Sequence, residues 1–477
     1  MPAGPVPVRP EIHYSPAATW LNDPNGLIFH DSLWHLYYQT NPNGLSWGNM
    51  SWGHATSPDL TRWTEHAPAI WFDDTEAVFS GSMVCDTTDS AGFGADALVA
   101  IYTSHREDPD GGVHQAQSLA WSTDGGHTFH KFAGNPVLDR QSSDFRDPKV
   151  FRHEGRWIMV AVEAVENAVV IYDSDNLRDW RLLSEFRSPS AAAPTWECPD
   201  LFPLVDEAGA TCWVLILSVN PEALTGGSGT RYFLGDFDGR VFRPAVGEGQ
   251  RGWLDHGRDY YAAVSFTDAP AGRRVMIGWM NNWEYAHQLP AHPWTMQMAW
   301  PRELGLEGSG PTRRLLQAPV ALPTEPGADG PLFEGVLDGE LTLPSEVPAV
   351  IDLELQRGGA TGVELSVGLT LAWEADTLTV QARGGVLGAP PGFDRPVVTP
   401  LPGDTHTLRV LVDHGSVEVF LDGGRQAHTH LCPPAAVRVP WTLRTTGGPA
   451  GVRVAVQRVR ARGDGTDEPA LLTSADA

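Results

Sequence analysis

The chain's 477 residues are too many for one ordinary core, so two domains are expected, and 42% hydrophobic with 19% charged residues is a globular composition. Against 59 acidic side chains stand 33 lysines and arginines, a formal net charge of −26 that would repel phosphate backbones and anionic lipid; no nucleic-acid and no membrane partner is expected, and a neutral substrate fits better. The four cysteines, Cys85, Cys198, Cys212 and Cys432, lack any C-x-x-C spacing, so neither a zinc site nor a disulfide framework is suggested.

Residues 1–12, "MPAGPVPVRPEI", contain no apolar stretch of the signal-peptide kind, and the longest apolar run, "WVLILSV" at 213–219, is far too short to span a bilayer. The expectation is a cytoplasmic protein, or a secreted one if a leader has been removed. The first element, "TWLNDPNGLIFH" at 19–30, begins with turn formers and ends as a short buried strand. Taken alone, Asp23 in it would close an Asx-turn. It becomes a reagent only if the rest of the chain brings partners to it.

A repeat supplies them. "WHLYYQ", "LVAIYT", "WIMVAV", "WVLILS" and "RVMIGW", starting at residues 34, 98, 157, 213 and 274, resemble one another at spacings of 64, 59, 56 and 61. Turns at 57–63, 122–129, 173–180 and 235–242 read as hairpin loops on outer strands. Units of this size, all strand and turn, predict a five-bladed β-propeller over residues 10–305. Ahead of each repeated strand lies another with a polar beginning, at 22–29, 79–85, 146–151, 197–202 and 259–266. If these are the innermost strands, Asp23, Asp147 and Glu197 ring one channel mouth. A connector at 306–332 then leads to alternating β-rich segments, predicting an antiparallel β-sandwich of six to ten strands over 333–465 and a disordered tail at 466–477. The fold class is therefore all-β, and the sandwich is expected to give packing support, with a share in substrate access or dimerisation.

Two carboxyl groups flanking a bond, one ionised and one protonated, are the usual equipment of glycoside hydrolysis. Trp20, Trp47, Trp52, Trp196, Trp279 and Trp283 fall in or beside the expected mouth, where indole faces can stack on sugar rings. Hard cations need several oxygen ligands, and with neither an EF-hand loop nor a His-rich cluster in the sequence, no metal and no cofactor is expected. Serine-hydrolase and P-loop chemistry lack their motifs, and the glycine-rich "TGGSGTRYF" at 225–233 reads as a blade loop.

"WLNDPNG" (20–26), "FSGS" (79–82), "RDPKV" (146–150) and "ECPD" (197–200), in this order, resemble the signature set of glycoside hydrolase family 32, the invertases, inulinases and levanases. "NPNGLSWGNMSWGHATSPDLTRW", "DYYAAVSF", "IGWMNNWEYA" and "PREL" extend the likeness from about residue 12 to 305. The resemblance implies a five-bladed propeller followed by a β-sandwich. It also implies that Asp23 is the nucleophile, Glu197 the general acid and base, and Asp147 a transition-state stabiliser kept ionised by Arg146. Asn22, Gln39, Trp47, Phe79, Ser80, Asp259 and Trp283 would bind substrate. Cys198 would be an inert buried thiol acting on Glu197 through polarity, and Glu197 would sit in a drier setting than Asp23. Thr295 stands where many fructan-cleaving relatives carry Arg, in a loop expected to border the leaving group.

"MNNWEYA" and "GGSGTRYFLGDFDG" look closer to exo-acting inulinases and levanases than to plant-type invertases. The expected function is release of terminal β-D-fructose from inulin- or levan-type fructans and from sucrose, through a covalent fructosyl-enzyme, by a monomer or homodimer. The second reading is a fructosyltransferase making fructo-oligosaccharides from sucrose, and the third a non-catalytic carbohydrate-binding propeller.

Overall fold

The computed structural model describes residues 9–187, 194–247, 250–289, 293–325, 330–382 and 390–460; the tail expected at 466–477 lies outside them. The described residues form 34 strands in seven antiparallel sheets. Five of these are consecutive meanders. Trp20–His30, Leu33–Asn41, Ser51–Ser57 and Thr64–Ile70 make blade one, and the pattern restarts at Ala77, Phe145, Thr195 and Tyr261. The five repeated segments are the second strands of the five blades. They read as near-continuous apolar runs because each is covered on both faces by its neighbours, as the buried row from Ala97 to Ser104 illustrates. The turns at 57–63, 122–129, 173–180 and 235–242 each join a third strand to a fourth.

The ring is a five-bladed propeller with the innermost strands side by side. Thr267 N donates to Leu27 O and Phe29 N to Thr267 O, both at 2.9 Å, joining the first inner strand to the end of the fifth. Side chains also tie inner strands of neighbouring blades: Val150 N donates to Ser82 Oγ at 2.9 Å and Ser265 N to Asp200 Oδ2 at 2.6 Å.

All five innermost strands slip register near their beginnings. Pairing jumps from Leu21 to Pro24, Val78 to Gly81, Arg146 to Lys149, Glu197 to Asp200 and Tyr261 to Val264. The skipped residues include Asn22, Asp23, Phe79, Ser80, Asp147 and Cys198, so the irregularity itself frees them from the alternation of the pleat and re-aims them. Asp147 (φ 61°), Cys198 (φ 47°) and Ala262 (φ 53°) adopt the left-handed region that residues with a Cβ rarely enter.

One boundary and one strand count differ from expectation. Arg314–Pro319, placed in the connector by the sequence reading, is the fourth strand of blade five and pairs with Arg302–Glu307; the alternation in "RLLQAP" continues the sheet past 305. The C-terminal unit starts with Phe333–Leu337, as expected, and its described residues form twelve strands in two six-stranded sheets rather than six to ten, several of the strands being only four or five residues long. Its core is one cluster that includes Leu353, Val363, Leu371, Trp373, Val410, Val419, Trp441 and Val454, drawn from alternate positions of both sheets.

Part of the seam between the two units is polar and buried. Asp255 to Asp259 of the propeller run along the sandwich edge strand Gln426–Leu431: His256 N donates to Ala427 O at 2.8 Å and Asp259 N to Thr429 O at 3.0 Å. The approach is close enough that a Cβ on Gly257 would lie 2.3 Å from Thr429 N and O. Beside it, Arg302 pairs with Asp255 at 2.8 Å and with Glu418 at 2.9 Å. His13 lies 2.9 Å from both Asp413 and Glu418. Burial opposes the charge on His13, but the hydrogen bonds to Asp413 and Glu418 outweigh it and push the imidazole up to about 9.

Candidate active site

The beginnings of the inner strands open onto a cavity of about 310 Å³ lined by Asn22, Asp23, Gln39, Trp47, Phe79, Ser80, Arg146, Asp147, Glu197 and Trp283, with Gln115, Asn220 and His287. Three carboxylates from blades one, three and four therefore meet on one surface. Cys198 is the hub between two of them: its Sγ lies 3.5 Å from Asp23 Oδ2 and 3.7 Å from Asp147 Oδ2, and its backbone N donates to Asp147 Oδ2 at 2.9 Å. The thiol is buried and pushed well above its ordinary range by burial and by the charges of Asp147, Asp23 and Glu197, so it stays protonated. It acts on Asp23 and Asp147, not on Glu197 as expected from the sequence.

Asp23 accepts from Ser80 Oγ at 2.7 Å, from Asn22 Nδ2 at 3.0 Å and from the Cys198 thiol. Asn22 is itself fixed by Trp20 Nε1 at 2.7 Å. These donors favour the carboxylate, yet desolvation and the charge of Glu197 win, and Asp23 is pushed up. Asp147 is pushed up to about 7, by desolvation first and then by Glu197 and Asp23, against the pull of Arg146. Glu197 keeps a side chain 23% exposed, with Arg146 Nη2 3.3 Å from its Oε1 and the Tyr261 hydroxyl donating to its Oε2. Desolvation thus acts on Asp23 and Asp147, and Arg146, expected to serve Asp147, is shared: it pulls on Asp147 without a direct bond and also pairs with Glu197 and, at 3.3 Å each, with Asp144 and Gln115. The reason is the bulge at Asp147, which swings adjacent side chains apart.

Asp259 is not brought to the cavity. Buried beneath it, the carboxylate accepts from the Tyr285 hydroxyl and from Leu431 N at 2.8 Å, serving the seam with the sandwich. Of the six tryptophans expected at the mouth, Trp47 and Trp283 line it, Trp47 at 46% exposure. Trp20, Trp52, Trp196 and Trp279 are buried and support the floor, Trp52 Nε1 donating to Phe79 O at 3.0 Å. Thr295 is buried, its N bonded to Thr19 O at 3.1 Å, and lies outside the lining. Sequence reading missed Gln115, Asn220, His287 and Tyr261. A position just after an inner-strand start was the available signal only for Tyr261. Away from the cavity, His54, His66 and His127 converge, a cluster the linear sequence disguised.

The chain is similar to known proteins over most of its length. Residues 13–319 match "Glycosyl hydrolases family 32 N-terminal domain" and residues 378–455 match "Glycosyl hydrolases family 32 C terminal". The chain is 38% identical over 458 residues to the levanase of Bacillus subtilis (strain 168), covering 89% of this chain and 66% of that protein. It is 41% identical over 513 residues to the extracellular exo-inulinase of Aspergillus niger, covering 95% of each. The crystal structure of exo-inulinase from Aspergillus awamori superposes with a TM-score of 0.88 at 33% identity, covering 96% of this chain and 99% of that one.

Proposed function

The chain belongs to glycosyl hydrolase family 32, and from that premise we propose that it releases terminal β-D-fructose from fructans and sucrose, through a covalent fructosyl-enzyme and with retention of configuration. The observation that carries the reading is the convergence of Asp23, Asp147 and Glu197 on one cavity. Asp23 attacks C2 of the terminal fructosyl unit while Glu197 gives its proton to the departing glycosidic oxygen, so that the C2–O bond breaks as the ester bond forms. Glu197, now a carboxylate, then takes a proton from water. Water attacks C2 and returns Asp23. Asp147 has Oδ2 occupied by Cys198 N and leaves Oδ1 for fructose hydroxyls, whose hydrogen bonds tighten as positive charge develops on the ring. Trp47 and Trp283 offer indole faces at the rim, and the polar floor of Asn22, Gln39 and Ser80 suits a ring rich in hydroxyls.

The test is a product-resolved assay on sucrose, inulin and levan with the wild type, Asp23→Ala and Glu197→Ala. Loss of either role is expected to cost on the order of 100-fold or more. Fructose release within tenfold of wild type in either variant refutes the assignment. A predominance of trisaccharides over free fructose from sucrose would assign transfer instead of hydrolysis.

A further inference from the structure

Three imidazoles that the reaction does not use meet between blades one and two. His54, on the third strand of blade one, is the direct cross-strand partner of His66 on the fourth, so their rings stand on one face of the sheet. His127 comes from the turn after the third strand of blade two, Val113–Ser122, and that turn docks on blade one where the Tyr37 hydroxyl donates to Gly126 O at 2.7 Å. A ring nitrogen of each histidine lies within 4.8 Å of those of the other two.

The polar contacts separate this group from histidines that merely pack. His54 is 0% exposed, its Nε2 lies 3.1 Å from His35 Nδ1, and its Nδ1 has no partner at all. His66 Nε2 lies 2.8 Å from Thr56 Oγ1. His54 thus presents a buried ring nitrogen without a partner while its other nitrogen has an outer one, which is the arrangement of metal-bound histidine.

We propose that His54, His66 and His127 form a three-imidazole site for a borderline divalent cation, zinc first among them, with a fourth position open to water. Zinc–nitrogen bonds of about 2.0–2.1 Å place tetrahedral nitrogens about 3.3 Å apart. The ligands must therefore close up, and the exposed His127 on its turn is the one with room to move. The ion would clip the outer half of blade one to blade two. None of the three residues lines the catalytic cavity, so its effect is on stability by mass action and not on the reaction.

The experiment titrates chelator-stripped full-length protein with zinc chloride by calorimetry and follows thermal unfolding with and without the metal. One equivalent is expected to bind to the wild type at micromolar zinc or below and to raise its midpoint, while His66→Gln and His127→Ala each weaken binding about 100-fold and abolish the rise. X-ray absorption should show three nitrogen scatterers at about 2.0–2.1 Å. Sucrose turnover should be the same with and without chelator. Because His127 is exposed, its variant should fold whatever the truth of the proposal. Wild-type affinity in His127→Ala, or binding to the wild type only at millimolar zinc, overturns it.

Discussion

Replacing Ser80 with Ala probes what keeps Asp23 ionised. The Ser80 hydroxyl donates to Asp23 Oδ2 at 2.7 Å and is the strongest, ahead of Asn22 and Cys198, of the donors that hold the carboxyl down against desolvation and Glu197. A hydrogen bond to a charged group contributes about 1.5–3 kcal/mol. At 1.36 kcal/mol per pH unit, its loss should move the acidic limb of the kcat/KM profile to higher pH by about one to two units. The alkaline limb, set by the acid that protonates the leaving oxygen, should stay where it is. Ser80→Thr, which keeps the hydroxyl, should restore the wild-type limb. The assay is the pH dependence of fructose release from sucrose at concentrations well below KM. An acidic limb within about 0.3 unit of wild type in Ser80→Ala, or a parallel movement of both limbs, would refute the reasoning, since an intact donor set would then not be what ionises Asp23.

Three further outcomes follow from the same contacts. His13 is raised from 6.5 to about 9, so the stability it contributes is complete below about pH 6.5 and is lost as pH rises through about 9; the urea midpoint of the wild type should fall over that window and His13→Gln should flatten the fall. Asp147 is raised from 3.8 to about 7, so its contribution is complete below about pH 4 and lost as pH rises through about 7; Asp147→Asn, though inactive, should melt higher than wild type at pH 8, with the gap closing toward pH 4. Asp259→Ala should lower the melting temperature, because Leu431 N and the Tyr285 hydroxyl are left buried without an acceptor, while KM for sucrose stays within about twofold of wild type.

What could be read from the sequence was whatever recurs locally. The second strands declared themselves because burial on both faces makes each a single apolar word, and Asp23, Asp147 and Glu197 because each sits in a turn-like start before a strand. The bulges could not be read, since a register slip is a relation between two strands; without them neither the turning of Arg146 toward Glu197 nor the placement of the buried Asp147 against the cavity can be foreseen. Asp259 misled because it also stands just ahead of an inner strand, and only the approach of Gln426–Leu431 decides where its carboxylate goes. The tryptophans show the same limit: an indole near a mouth is lining or floor according to its depth. His54, His66 and His127 escaped because two of them are related only by strand pairing and the third by the docking of blades.

The charge pattern where the two units meet restricts how such proteins can be recombined. Arg302 and His13 belong to one unit, and their acceptors Glu418 and Asp413 to a single hairpin, Thr405–Asp413 with Ser416–Leu421, of the other. A chimaera that grafts a foreign C-terminal module onto this propeller must import that hairpin's two acids in register, or remove both cations together with Asp255. Exchange of either partner by itself strands an ion away from water. The transferable piece is thus not a module but a module together with its matched counter-ions.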